Sequence, residues 1–215
     1  DPSQPGVLLA GVNGGCRVAA DWTEFGAVYR STDGGQTWTN TLAATSVITE
    51  CPDVYLEDVA YDTQDPARVY ASICCNGLWR STDSGQSWTR LGQGAPYEWD
   101  LIFAQRLAVE PAPPYRVFVN SQFCTSVSGS CMYLSEDHGE TWREADDPFH
   151  SEPEQLLFAP GDPPVLYAAL AGRFGWYHPG LFRTADGGRS WTKAPGELGR
   201  VPVYSLAVVT APDRV

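Results

Sequence analysis

Four copies of one eight-residue pattern, set at nearly equal intervals, govern what this chain can become. They are Ser31-Thr-Asp-Gly-Gly-Gln-Thr-Trp38, Ser81-Thr-Asp-Ser-Gly-Gln-Ser-Trp88, Ser135-Glu-Asp-His-Gly-Glu-Thr-Trp142 and Thr184-Ala-Asp-Gly-Gly-Arg-Ser-Trp191. Each reads Ser/Thr-x-Asp-x-Gly-x-Ser/Thr-Trp, and the aspartates Asp33, Asp83, Asp137 and Asp186 stand at intervals of 50, 54 and 49. A fixed period of this size marks stacked copies of one supersecondary unit, none able to bury its apolar face alone.

A second motif keeps the same phase. Val59-Ala-Tyr-Asp62 with Asp65-Pro-Ala-Arg-Val-Tyr-Ala71 is echoed by Leu107-Ala-Val-Glu-Pro111 with Tyr115-Arg-Val-Phe-Val119. It returns in Leu157-Phe-Ala-Pro160 with Pro164-Val-Leu-Tyr-Ala168, and partly in Leu206-Ala-Val-Val209 with Pro212-Asp-Arg-Val215. These are pairs of short apolar strands joined by Pro/Asp turns. A third strand runs into the eight-residue pattern (Gly77-Leu-Trp-Arg80, Met132-Tyr-Leu134, Gly180-Leu-Phe-Arg183), and a fourth begins at its Trp. Four strands per repeat, A to D, at this period predict an all-β fold: a β-propeller of four-stranded antiparallel blades, about four blades' worth. Residues 1–215 form one such domain or a segment of a larger one. The pattern itself, at 31–38, 81–88, 135–142 and 184–191, is expected to turn strand C into strand D. There Asp33, Asp83, Asp137 and Asp186 accept backbone N–H groups within the turn. Gly35, Gly85, Gly139 and Gly188 supply positive φ, and Trp38, Trp88, Trp142 and Trp191 bury between neighbouring sheets.

Net charge is −12, and the single lysine and 13 arginines face 26 acidic residues. Such a surface repels phosphate backbones and anionic bilayers, so nucleic-acid binding is excluded as an expectation. No run reaches the ~18 apolar residues of a membrane helix, so membrane insertion is not expected. Beginning at Asp1 without a leader, the chain reads as a processed or excised product. No cofactor motif occurs, and no Cys/His spacing suggests a metal site.

Six cysteines in such a lysine-poor chain point to an oxidising, extracellular or periplasmic setting. All six fall in B–C or D–A connections, which share one face. Cys124 and Cys131 bracket a short hairpin segment and are expected to pair. At least one further bridge is expected among Cys16, Cys51, Cys74 and Cys75, with connectivity open. Stapling of loops is favoured over core filling.

The B–C and D–A connections are long (13–27, 172–180; 40–57, 92–105, 145–155), and function concentrates in loops held by a rigid scaffold. They carry Trp22, Glu24, Tyr97, Glu98, Trp99, Asp100, Trp176 and Tyr177. Rings that stack on sugar faces beside carboxylates that accept hydroxyls make these the candidate ligand-binding residues. Folding of the same rings into small loop cores is the competing expectation.

The four patterned segments resemble the Asp-box (BNR) repeat of sialidases, xyloglucanase-type glycosidases, sortilin-type receptors and photosystem assembly factors. The resemblance spans nearly the whole chain, and implies that the box aspartates are structural, remote from any active face. It also permits a test for catalysis. A sialidase would need three arginines for the substrate carboxylate, but nine of the 13 recur with the repeat, leaving Arg17, Arg106, Arg173 and Arg200; the family's Arg-Ile-Pro signature is missing. A glycosidase of the xyloglucan-degrading type would need two carboxylates facing across a cleft. Glu24, Asp53, Glu98 and Asp100 are candidates, but no motif selects among them, so no catalytic residue is assigned. His138, His150 and His178 read as surface residues without a triad partner.

The sequence therefore ranks a secreted, non-catalytic binding or scaffold propeller first, with a glycan or protein partner on the B–C/D–A face. A polysaccharide-cleaving glycoside hydrolase is the alternative. The chain opens on a B strand (Gly6–Ala10) and closes on an A strand (Ser205–Val208), which would shut four blades into a ring, but Pro212–Val215 reads as the start of a further B strand. Self-association or the remainder of a longer propeller is therefore expected to complete the arc, with the closed four-blade ring as the second choice.

Overall fold

In a computed structural model, the residues described are 1–12, 26–44, 54–94, 96–122, 130–147, 152–172 and 179–208. They build four antiparallel sheets. Blade 1 has three strands, β1 (Leu8–Val12), β2 (Ala27–Ser31) and β3 (Thr39–Ala43). Blade 2 has β4 (Tyr55–Tyr61), β5 (Val69–Cys74), β6 (Gly77–Ser81) and β7 (Thr89–Arg90). Blade 3 follows with β8 (Ala104–Val109), β9 (Val117–Ser121), β10 (Met132–Ser135) and β11 (Arg143–Glu144). Blade 4 has β12 (Gln155–Ala159), β13 (Val165–Leu170), β14 (Gly180–Thr184) and β15 (Thr192–Lys193). In blades 2 to 4, strands pair in sequence order, so each sheet is a simple A-B-C-D meander.

Apolar residues on both faces of strand B explain how the blades stack. Every residue of β5 and of β9 is buried, because each strand lies between two neighbouring sheets. Three inter-blade cores result. Val28 and Leu42 meet Ala71 and Ile73 between blades 1 and 2. Tyr70 and Leu78 meet Val117, Val119 and Tyr133 between blades 2 and 3. Phe118 and Leu134 meet Leu156, Leu166 and Phe182 between blades 3 and 4. The innermost strands β4, β8 and β12 lie side by side around the axis, and blade 1 packs on β4 through β1. The chain is thus a partial propeller, an arc of four successive blades.

Two elements differ from the sequence expectation. Residues 98–102, within an expected irregular D–A connection, form a short helix, α1 (Glu98–Ile102), whose Leu101 and Ile102 are buried under blades 2 and 3. Residues 205–208, expected as an A strand, are not in a strand. They carry A-strand sequence but pair with no B strand among the described residues, and a strand is defined by its partner's hydrogen bonds.

Candidate functional site

The four boxes are constructed alike. In the first, Asp33 Oδ1 accepts from the backbone N–H of Gln36 and Thr37, both at 2.9 Å, and from Ser31 Oγ at 2.8 Å. Its Oδ2 accepts from Thr37 Oγ1 at 2.6 Å, and Ser31 Oγ in turn accepts from Gly35 N–H. The hydroxyl, carboxylate and amide interactions recur around Asp83, Asp137 and Asp186. Hydrogen bonds to the ionised form hold a carboxyl down. The Thr37 hydroxyl leads this effect at Asp33, and Ser190 at Asp186, each brought to about 2. At Asp83 and Asp137 burial opposes it, yet the combined hydrogen bonds still lower the carboxyl. These aspartates are spent on their turns.

Box tryptophans seat on the preceding blade. Trp88 Nε1 donates to Thr41 Oγ1 on β3, and Trp191 Nε1 to the Asp146 carbonyl beyond β11. Trp142 is buried, whereas Trp38, expected between sheets like the others, is 40% exposed because no described blade precedes its own.

Arginines join the blades. Arg30 Nε donates to the Ser84 carbonyl, and Arg80 Nη1 to the His138 carbonyl, which also accepts from Tyr70 Oη. Arg80 pairs with Glu140 and Arg68 with Asp62. Arg68 also reaches His138 Nδ1 at 3.1 Å, so His138 is a member of an inter-blade joint and not a surface residue. Between blades 3 and 4, Arg116 grips the buried Glu110 through two bonds and lies over Gly187.

On the axis, the inner strands line a cleft of about 430 Å³. Asp58, Tyr61, Arg106, Glu154, Gln155 and Phe158 face it. Register slips occur at Leu56/Asp58 in β4 and at Ala104/Leu107 in β8. Bulges re-aim side chains, and here they bring Arg106 Nη1 to 3.2 Å from Glu57 Oε2 and 2.7 Å from the Glu57 carbonyl. Asp58 accepts from the backbone N–H of Leu107 at 3.1 Å and of Val59 at 2.9 Å. Burial raises the Glu57 carboxyl despite Arg106, and raises Asp58 despite its amides and Arg106. Chemically, the cleft offers carboxylate and amide acceptors, one guanidinium and two rings. Sequence reasoning did not select Glu57 or Asp58. The available signal was Arg106, one of four arginines that repeat position leaves unexplained.

Of the residues expected to bind ligand, Trp22, Glu24, Trp176 and Tyr177 lie outside those described, as does Asp53. The other four cluster at α1 with divergent roles. Trp99 is 49% exposed and meets Phe103 edge-on. Tyr97 packs on Tyr133, with ring centroids 5.1 Å apart. Glu98 accepts from Gly94 N–H and lies 3.8 Å from Arg90. Asp100 is fully buried, and its carbonyl accepts from Ser121 Oγ, so it does not face a ligand on the surface.

The cysteines also divide. Cys74, expected among the loop staples, is a free thiol buried in the core between blades 1 and 2, since it ends the wholly buried β5. Cys16, Cys51 and Cys124 lie outside the described residues, and with them the expected pairings, Cys124 to Cys131 included. Among the described residues there is no His/Cys/Asp/Glu group able to hold a metal ion, and no helix long and apolar enough to cross a membrane.

Radial four-stranded sheets with this turn define an Asp-box β-propeller arc. A family model described as Sortilin-Vps10 (Sortilin, neurotensin receptor 3) matches residues 76–205, more than half of the chain, and the BNR/Asp-box repeat model matches 29–40. The chain belongs to the Sortilin-Vps10 family of Asp-box repeat proteins. Among solved structures it is similar to the GH74 xyloglucanase from Xanthomonas campestris, with a TM-score of 0.58 at 17% identity, covering 90% of this chain and 29% of that one. The GH74 enzyme of Niastella koreensis gives 0.55 at 20%, covering 78% and 26%, and the Hadza microbial sialidase Hz136 gives 0.53 at 21%, covering 89% and 44%. At these identities the likeness is one of fold, and the chain spans less than half the length of each. No curated protein sequence matches it.

Proposed function

We propose that this protein is a non-catalytic binding propeller of an extracellular or periplasmic compartment. It holds a glycan or protein partner on the face bearing the B–C and D–A connections and the adjoining axial cleft. The observation that carries this reading is the engagement of the carboxylates on the β4 wall of the cleft. Glu57, beside the cleft, is ion-paired to Arg106, and both oxygens of Asp58, which lines it, accept backbone amides. Glycoside hydrolysis needs two opposed carboxyls free to act on substrate or water, and a sialidase needs guanidiniums free for a carboxylate. Arg30, Arg68, Arg80, Arg106 and Arg116 are all committed to protein partners. The exposed Trp99 supplies a stacking surface, the six cysteines of a chain with a single lysine suit an oxidising compartment, and the receptor name of the family accords with a binding role.

The rival reading is a glycoside hydrolase, and the raised carboxyl of Asp58 favours it. The two separate in one experiment. The purified chain is tested on immobilised glycan and peptide panels, and in parallel for reducing ends released from xyloglucan and other polysaccharides. The expected result is saturable binding without release, weakened about tenfold, or about 1.4 kcal/mol, by Trp99→Ala. Release that disappears in Asp58→Asn would establish the hydrolase instead.

A further inference from the structure

Two of the arginine joints are built alike except that one leaves its charge open. Arg30 on β2 and Arg80 on β6 hold the same place, just before the box on strand C, and each donates to the carbonyl of the fourth residue in the next blade's box. Arg80 spends Nη1 on that carbonyl and lays Nη2 on Glu140, the sixth residue of the same box, at 2.8 Å. Arg30 is anchored to the Ser84 carbonyl through Nε alone, at 2.9 Å. The sixth box residue there is Gln86, whose amide donates back to the Asp83 carbonyl of its own turn. Both Nη groups of Arg30 therefore stay without a partner among the described residues. The bond that commits this side chain to the protein orients it but leaves its charge uncompensated.

A cavity of about 220 Å³ opens at this joint. Arg30, Thr32, Thr37, Thr39, Thr41 and Gln86 line it, which makes one cation, four hydroxyls, one amide and no carboxylate. In blade 2 the third residue after the box Trp is Leu91, buried and pressed on Gly139. In blade 1 that place is Thr41, whose hydroxyl accepts from Trp88 Nε1 and donates to the Val28 carbonyl. A shorter, polar side chain thus stands where the next joint has a packed leucine. The hydroxyls of Thr32 and Thr39 make no hydrogen bond among the described residues and are free to bond a ligand. The flanking carboxylates of Asp33 and Asp83 are closed on donors of their own turns.

Three properties define what such a cavity takes. An open guanidinium fork, where the next joint supplies Glu140, calls for a carboxylate accepting two parallel N–H bonds. Free hydroxyls and an amide around it call for a ligand that carries hydroxyls of its own. The volume is several times the ~30 Å³ share of one water, yet below the ~300 Å³ of sites for drug-sized ligands, so one ring is what fits.

We propose that this cavity is a second binding site, for a hexuronate unit of an acidic polysaccharide. The carboxylate lies on Arg30 Nη1 and Nη2, and the ring hydroxyls on Thr32, Thr39 and Gln86. The site belongs to the box turns, away from α1 and the axial cleft, and stands whether or not those hold a ligand. A single anchored arginine at the rim binds without supplying the means of hydrolysis.

Titration of the isotope-labelled chain with glucuronate and with galacturonate tests this, read at the Trp88 indole N–H, which bonds to Thr41 at the cavity wall. At least one uronate should move that resonance saturably, with a Kd of about 1 mM. Glucose and acetate, each lacking half of the ligand, should bind about tenfold more weakly or worse. Arg30→Gln should abolish binding. Gln86→Glu installs the carboxylate that Glu140 supplies in the next joint, and should also abolish binding while leaving the melting temperature undiminished, which separates a closed site from a lost fold. The absence of a saturable shift with either uronate would overturn the proposal. So would acetate or glucose binding as tightly as the uronate, or uronate binding untouched by Gln86→Glu.

Discussion

At the scale of the residue, the same side chain carries opposite meanings in different surroundings. Asp33 and Asp186 are held near 2 by hydroxyl and amide donors, whereas burial raises Glu57 and Asp58. The lowered pair binds fewer protons folded than unfolded, so its stabilisation is complete above the ordinary value of 3.8 and lost as pH falls towards 2. The raised pair binds more protons folded, so its burial costs stability at neutral pH and the cost is relieved on acidification. Thermal melts should therefore show stability rising as pH first drops from neutrality, then collapsing below about pH 4; a monotonic decline from pH 7 would contradict the assignment of Glu57 and Asp58. Cys74 gives an independent check. Burial, reinforced by the Glu57 carboxylate, pushes its thiol up to about 12, so it should resist iodoacetamide in the native protein and react only after denaturation. Labelling of Cys74 in the folded state would show that the core around it is open.

At the scale of the element, the blades gain their stability from faces they share. Phe118 sits at 0% exposure between blades 3 and 4, with Gly188 against its ring. Phe118→Ala should cost about 3–5 kcal/mol in chemical denaturation. Arg80→Ala should cost about 1–3 kcal/mol by removing the charged donor of the two that the His138 carbonyl accepts from, Tyr70 Oη being the other; no loss there would mean the arginine joint is ornamental. Elements whose neighbours lie within the repeat were legible beforehand: the box turns, strands B and C, and the phase of strand A all follow from the motif spacing. What depended on contacts between repeats was not. Residues 98–102 carry no capping side chain that would announce a helix. The bulges that turn Glu57 and Arg106 towards each other leave no mark in a periodic pattern. Asp100 and Cys74 read as loop groups because sequence shows position along the chain and not depth.

At the scale of the whole molecule, the arc is a series of identical seatings, each box pressed on the blade before it. Where a described blade stands on both sides, strand B disappears from solvent; where only one described blade adjoins, Trp38, Tyr204 and Val208 are exposed. The most direct measurement of this arrangement is a set of nuclear Overhauser contacts from the box glycines. Gly85 should show contacts to the Leu9 methyls, Gly139 to the Leu91 methyls, and Gly188 to the Phe118 ring, all three together. If those glycines instead contact only residues of their own sheet, the blades are not packed in radial succession and the propeller account fails.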